Sequence, residues 1–467
     1  MVLPDTKTVV LINPPATYAG EIAQKCYPPA GLLYLAASLR KAGFFPRILE
    51  TNALGLSAGR VKETLKQARP LAVGLPVFSE VLSQVHELAA AARAAVPETA
   101  IILGGPHATA VPGQVLEQFP MADFLLTGEA DHTLPALCRS LAAGERPGGV
   151  PGLWAKGKGT GLPFELPDTG ALPWPAKDLV AEAYRRKRYH TLLVGRRPVD
   201  TLFTSRGCPH ACGFCYNFRR KYRARKPEDV VAELAGIAAS GIRDVEICDD
   251  TFTADEGRAL AIFDLIIAEK LPVSFRIKSR VDAFSERLAK KASQAGVYLV
   301  SFGAESASQR ILDAMGKRIT PKKTARAIAL ARAHGIASHT SWIIGYPGET
   351  PDTVEETVRF IQKTRPTTAN LAVLRPYPAT PVYEQARAEG TLMGGWAPGA
   401  PMPWVRLPWV RDKKILDDLC ASAVRRIYFS PHYTAAFALM AARSANTTLV
   451  RYALQEARKV LLPKKPG

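Results

Sequence analysis

The chain has 467 residues, 47% of them hydrophobic and 22% charged, a balance of ordinary globular domains that excludes a disordered or collagen-like chain. No window holds the roughly 20 apolar residues of a membrane-spanning helix, and the N-terminus MVLPDTKTVVLINPP lacks the basic, apolar and cleavage regions of a signal peptide, so none is expected. The formal net charge of +19 permits nucleic acid, an anionic membrane surface or an acidic substrate as partner, although a solvated basic surface accounts for any single cluster of it.

Residues 7 to 150 alternate between short apolar runs and helical patterns. TVVLINPP, PRILETNA, PLAVGLPV, AIILGGPH and DFLLTGEA read as strands. PPAGLLYLAASLRKAGF, residues 58 to 69 and residues 79 to 95 read as helices, the first started by Pro29 and stopped by Gly43. Strands separated by helices imply a parallel, doubly wound sheet with right-handed crossovers. Ligands of such sheets bind outside the carboxyl ends of the strands, where Asn13, Pro14, Pro76, Val77, Ser79, Gly104, Gly105, His107, Gly128 and Glu129 fall. The stretch 151–197 is rich in Gly and Pro with no sustained period, and reads as an extended linker wrapped on the surface.

A new strand, VDTLFTS, delivers the loop SRGCPHACGFCYN. It holds Cys208, Cys212 and Cys215 in C-x3-C-x2-C spacing. Four-iron clusters are held by thiolates, usually four, so three ligands leave one iron open to a molecule with adjacent amine and carboxylate groups. Gly207 and Gly213 permit a tight backbone path, and Phe214 would shield the cluster from water. A structural zinc site would require a fourth protein ligand; His210 lies inside the loop, but no second C-x2-C or H-x3-H pair follows. The other cysteines, Cys26, Cys138, Cys248 and Cys420, are isolated and expected as small buried hydrophobes. Seven cysteines of this pattern are no disulfide framework and point to a reducing, cytoplasmic compartment.

Beyond the loop, PEDVVAELAGIAASGI, DVEICDD, PVSFRIKSR, VYLVSFGAES, ASHTSWIIGYPGET and ANLAVLRPYPATP continue the alternation. Six strand-helix units predict a partial barrel of parallel strands, with the active site on its carboxyl-terminal face. Asp249, Asp250, Ser279, Arg280, Asp282, Glu305 and Ser306 converge on that rim. From Thr391 onward there are 12 Lys or Arg against 4 Asp or Glu. The helical patterns DKKILDDLCASAVRRIYF and TLVRYALQEARKVLL are expected to cap the barrel and close its substrate side; the alternative is a peripheral anchor on an anionic membrane.

The cysteine spacing, with an aromatic residue before the third thiol, resembles the cluster loop of the radical S-adenosylmethionine (radical SAM) superfamily. NPP, PPAGLLYLAASLR, GGPHAT and TGE resemble the cobalamin-binding domain that precedes the radical barrel in one large class, and GYPGET and PYPATP match the pattern after its fifth and sixth strands. The resemblance runs over roughly residues 7 to 390. It implies a doubly wound Rossmann-like cobalamin domain at 1–150, a linker at 151–197, a (β/α)6 radical SAM barrel at 198–390 and a small helical region at 391–467.

The resemblance also implies a [4Fe-4S] cluster on Cys208, Cys212 and Cys215, and S-adenosylmethionine held by Phe214, Tyr216, Asp249, Asp250, Ser279, Arg280 and Glu305. Asp249 or Asp250 would face the amine, Arg280 the carboxylate, and Glu305 the ribose or amine. Cobalamin would lie on the first domain's rim without the D-x-H-x-x-G histidine, hence base-off, with His107 at the corrin periphery or nucleotide tail.

The activity implied is methyl transfer from methylcobalamin to an unactivated carbon through a 5′-deoxyadenosyl radical, on a small-molecule or lipid-like substrate, with a flavodoxin or ferredoxin as electron donor. The alternatives are oxidative cyclisation or rearrangement of a tetrapyrrole or lipid, and a non-catalytic corrinoid or polyanion binder. A methylthiotransferase is disfavoured because Cys26 and Cys138 are too few for a second cluster. Specific nucleic-acid recognition is not expected, since only charge supports it.

Overall fold

The computed structural model describes residues 5–16, 25–155, 158–191, 197–217, 221–430 and 433. The chain folds as two compact units, one formed by Met1–Tyr189 with Gly395–Pro401 and the other by His190–Gly394 with Met402–Gly467.

In the first unit, β1 (Asp5–Asn13) carries Val9, Val10, Leu11 and Ile12, all buried, as a parallel strand covered on both faces requires. It lies between β2 (Phe45–Glu50) and β3 (Pro70–Pro76), followed by β4 (Ala100–Gly104) and β5 (Phe124–Leu126), all parallel in the order β2-β1-β3-β4-β5. The direction of strand addition reverses at β1, so a crevice opens at the carboxyl ends of β1 and β3. Cys138 is fully buried in this unit's core, as expected of an isolated thiol.

The segment expected as a surface linker departs from that reading. Leu153–Ala155 (β6) and Lys158–Gly159 (β7) extend the sheet antiparallel from β5. Leu172, Ala176, Val180, Ala183 and Tyr189 are buried, and the Ala176 amide donates to the Leu33 carbonyl at 3.1 Å. The physical reason is the free edge of β5, whose backbone groups need partners. Strands of two and three residues are too short to display a period.

The second unit holds six parallel strands in sequence order: β8 (Val199–Leu202), β9 (Asp244–Ile247), β10 (Ser274–Ser279), β11 (Val297–Glu305), β12 (Ala337–Ile344) and β13 (Thr368–Val373). Their intervening helices start where the sequence signals them: Pro227 opens Pro227–Ala239 with Glu228 and Asp229 in its first turn, and Thr350 with Thr353 forms a capping box before Pro351–Thr364. Phe275, Ile277, Val300, Phe302, Trp342, Ile344, Ala369 and Leu371 are buried on the face toward the helices. The alternating positions, Glu246, Arg276, Lys278, Ser301, His339, Ser341 and Asn370, give the opposite face a polar lining.

The described part of the tail packs against the last strand of the barrel and, through Trp409, against the loop that follows β12. Its described helix, Lys413–Tyr428, buries Leu416, Ala423 and Ile427 in the core that contains Val354, Val358, Ile361, Ala369 and Leu371. Tyr428 Oη donates to the Ala369 carbonyl at 2.7 Å and accepts from its amide at 2.9 Å. The helix thus covers the outer side of β13, an edge strand with apolar outward positions. The pattern TLVRYALQEARKVLL lies outside the described residues.

Candidate functional site

The rim of the first unit is built by turns that tie neighbouring strand ends together. The Val77 amide donates to the Gly104 carbonyl at 2.7 Å and the His107 amide to the Val77 carbonyl at 3.1 Å. Gly105, at φ +98, lies so close that a Cβ would sit 3.1 Å from the Val77 N and O atoms, so this turn needs glycine. Asn13 has its amide on the Glu50 carboxylate at 2.8 Å, and Pro14 is buried behind it. Gly128 is packed beneath Phe164, whose ring would lie 2.5 Å from a Cβ there; Glu129 is buried beside it. Gly128 thus lies under Phe164 rather than on an open rim.

His107 is the chemically distinctive group. It is 2% exposed, its Nδ1 is 2.8 Å from Ser79 Oγ, and its Nε2 is buried without a hydrogen-bond partner. Burial pushes the imidazole down to about 4, so it is neutral at neutral pH. Trp396 packs edge-on to it at 6.2 Å, its carbonyl accepting from Gln118 Nε2 at 3.0 Å while the Gly399 amide donates to Ser83 Oγ at 2.9 Å. A partnerless buried nitrogen at the carboxyl rim suits a bound polar group. Sequence reasoning missed Trp396, which comes from a segment almost 290 residues downstream.

In the second unit, the thiol loop follows β8 and is anchored at its middle. The Gly213 amide donates to the Met315 carbonyl at 2.8 Å, and the Gly213 carbonyl accepts from the Val382 amide at 3.0 Å. A Cβ on Gly213 would lie 2.7 Å from Tyr346 Oη. Asn217 Nδ2 donates to the Cys208 carbonyl at 3.1 Å, and Cys208 Sγ lies 3.6 Å from Thr251 Oγ1. Among the described residues, no three His, Cys, Asp or Glu side chains are gathered around a single-ion position. A structural zinc would need a fourth protein ligand beside the three thiolates, whereas a four-iron cluster can be held by three thiolates with one iron left open.

The acidic and basic rim residues divide sharply. Asp249 is fully buried and accepts from the Thr204 and Ser205 amides at 2.7 and 3.0 Å and from their hydroxyls at 2.5 and 2.6 Å. All its acceptor capacity is spent on shaping the entry to the thiol loop, so it leaves none for a cofactor amine. Asp250, exposed and accepting from the Gly207 amide at 3.2 Å, keeps free lone pairs at the loop. Arg280 is committed as well: its fork meets Asp282 at 3.0 and 3.1 Å and the Lys317 carbonyl at 2.9 Å. Ser279 Oγ is engaged with Thr253 Oγ1 at 2.7 Å.

Glu305, at φ +65, pairs with Lys317 Nζ at 2.8 Å, and both are buried. Lys317 Nζ also lies 5.6 Å from the Phe214 ring centroid, within cation–π range. This lysine, missed from sequence, links the end of β11 to the thiol loop, and its only local signal is the Met-Gly-Lys-Arg turn. Tyr216 is half-buried.

Glu349 of the GYPGET loop is 2% exposed and accepts from the Gly345 amide. Burial pushes its carboxyl up to about 7 against the pull of that amide. A raised acid in the folded state adds stability that is complete below the ordinary carboxyl value and is lost as pH rises through about 7. Glu349→Gln is therefore expected to flatten the fall in melting temperature between pH 5 and 8, and to stabilise the protein at pH 8 by up to about 3 kcal/mol. Parallel slopes for the two proteins in thermal melts would refute this.

A doubly wound sheet with a 2-1-3-4-5 order, followed by a six-stranded barrel that opens on a three-thiol loop, defines a two-domain radical enzyme architecture. Residues 202–361 match the Radical SAM superfamily, and residues 19–138 match the B12 binding domain. An uncharacterized methyltransferase of Pyrococcus horikoshii is 32% identical over 395 residues, covering 82% of this chain and 84% of the relative. The anaerobic magnesium-protoporphyrin IX monomethyl ester cyclase of Rubrivivax gelatinosus is 28% identical over 395 residues, covering 81% and 69%. The fold is similar to that of the radical S-adenosylmethionine methyltransferase TsrM from Kitasatospora setae, solved with tryptophan and a SAM analog, with TM-score 0.74, 20% identity and coverage of 91% and 90%. The chain belongs to the cobalamin-binding radical SAM enzymes.

Proposed function

We propose that this enzyme transfers a methyl group to an unactivated carbon of a small-molecule substrate. The observation that carries the reading is the thiol loop itself: Cys208, Cys212 and Cys215 follow β8 in one short loop, in a chain that also carries the cobalamin-type sheet. When bound, the cluster with S-adenosylmethionine supplies hydrogen-atom abstraction, and cobalamin carries the methyl group. The chain's own residues bind and orient. The three thiolates would hold the cluster and Asp250 would accept from the cofactor's amine, while Lys317 fixes Glu305 and the Phe214 ring beside the loop. In the first domain, Val77 and Gly105 form the tight turn at the strand ends beside which a corrin would bind, and His107, held neutral, would meet the corrin periphery or nucleotide tail. A cob(II)alamin spectrum with nitrogen superhyperfine splitting from an axial ligand would contradict that role for His107.

Methyl transfer is favoured over cyclisation by the 32% identity to a methyltransferase, against 28% to the cyclase. Anaerobic incubation with candidate substrates tests it: a product heavier by one methylene unit supports methylation, whereas loss of hydrogen or a ring change supports cyclisation. The electron donor is expected to be of flavodoxin or ferredoxin type. Peripheral membrane contact through the basic tail stays a secondary reading, separable by salt-sensitive binding to anionic vesicles.

A further inference from the structure

We propose that the substrate of this enzyme carries an oxyanionic group, a carboxylate or phosphoryl group, and that Lys278 binds it inside the barrel. The proposal rests on the methyl-transfer reading and narrows its substrate class.

The argument starts from strand register. Lys278 on β10 stands opposite Ser301 on β11, Ser301 opposite His339 on β12, and His339 opposite Thr368 on β13. In-register positions on parallel strands share a face, and the neighbours Ile277, Val300 and Thr340 are buried on the opposite, helix-covered face. Lys278, Ser301 and His339 therefore form one layer of the polar inner face, with Lys278 one residue before the carboxyl end of β10 and the layer running back toward the amino ends of β12 and β13. His339 Nδ1 is 2.8 Å from Thr368 Oγ1, which fixes its ring.

Charged pairs stand on both sides of this layer. One step toward the amino ends, Glu246 and Arg276 stand in register and pair with each other. Toward the carboxyl ends, Glu305 and Lys317 pair over Gly303, where a Cβ would meet both groups. Arg280 pairs with Asp282. Lys278 is half-buried, and among the described residues no carboxylate pairs with it. A half-desolvated ammonium between two neutralised pairs, with the Ser301 hydroxyl side chain opposite it on the next strand, favours an anion with additional hydrogen-bonding groups over a purely hydrocarbon substrate.

Inorganic phosphate and acetate serve as separate probes of phosphoryl and carboxylate chemistry, titrated into the full chain carrying its cofactors and read by calorimetry and, for phosphate, by 31P line broadening. Saturable binding of at least one probe is expected, weakened about tenfold or more in Lys278→Met and kept within about threefold of wild type in Lys278→Arg. Lys278→Gln replaces the methionine variant should that one lose its circular-dichroism signature. Absence of saturable binding to the wild type, equal binding by the neutral variant, or equal loss in Lys278→Arg would each overturn the assignment. Release of S-adenosylhomocysteine and 5′-deoxyadenosine is followed in the same preparations. Nucleoside release without lysine-dependent anion binding leaves the methyl-transfer reading standing and sinks this one; anion binding with no nucleoside release does the reverse.

Discussion

Replacing Cys208, Cys212 and Cys215 together with alanine is expected to bring bound iron and sulfide to background and to abolish S-adenosylmethionine cleavage altogether. No other group can take over the thiolates' role, because Cys248 and Cys420 are only half-buried singletons in other elements and Cys26 and Cys138 belong to the first unit. The barrel should nevertheless stay folded. The loop is held by backbone bonds from Gly213 to Met315 and Val382 and by Asn217 on the Cys208 carbonyl, none of which uses a sulfur atom. Only Cys212 is buried, so the stability lost in the metal-free protein should be about 1 kcal/mol. Iron and sulfide content, with urea unfolding of the metal-free proteins, checks both halves. Unchanged iron in the variant would falsify the assignment of the cluster to this loop, and a collapse of the unfolding midpoint would show that the thiols are structural.

Much of this site was legible because its signal is local. Three thiols in eight residues can be read without knowing any other part of the chain, and the strands β1, β3, β4 and β12 are continuous apolar or strictly alternating runs with turn residues at both ends. What failed were roles that depend on partners distant in sequence. Asp249 and Asp250 are chemically equivalent in the sequence, yet one faces inward onto Thr204 and Ser205 while the other faces the solvent. Arg280 looked available for a carboxylate until Asp282, two residues on, filled its fork. Lys317 becomes visible only when Glu305 and Phe214, 12 and 103 residues earlier, are brought to it. The strands Leu153–Ala155 and Lys158–Gly159 escaped because Gly and Pro density reads as linker, whereas here they extend the edge of a sheet.

Ending the chain at Gly390 is expected to unfold the second unit rather than merely open its substrate side. The removed segment supplies Val405, Leu407, Val410, Leu416 and Ile427, each 4% exposed or less, to the core shared with Trp342, Val354 and Leu371. At roughly 1.5–3 kcal/mol for each fully buried side chain of this kind, the loss is on the order of 10 kcal/mol, comparable to the entire stability of a typical domain. The ordering entropy of the segment offsets part of it. Polar losses add to the rest: Trp409 Nε1 donates to the Glu349 carbonyl at 2.7 Å, and Tyr428 closes both backbone groups of Ala369. The first unit would lose the Trp396 packing on His107 at the same time. A graded version avoids complete collapse: Leu416→Ala, at a fully buried position on Lys413–Tyr428, should cost about 2–5 kcal/mol and lower the urea midpoint without changing iron content. A basic tail that served only as a surface anchor predicts the opposite pattern, a truncated protein with wild-type midpoint and turnover that has lost nothing but its affinity for anionic vesicles, and that result would overturn the core assignment.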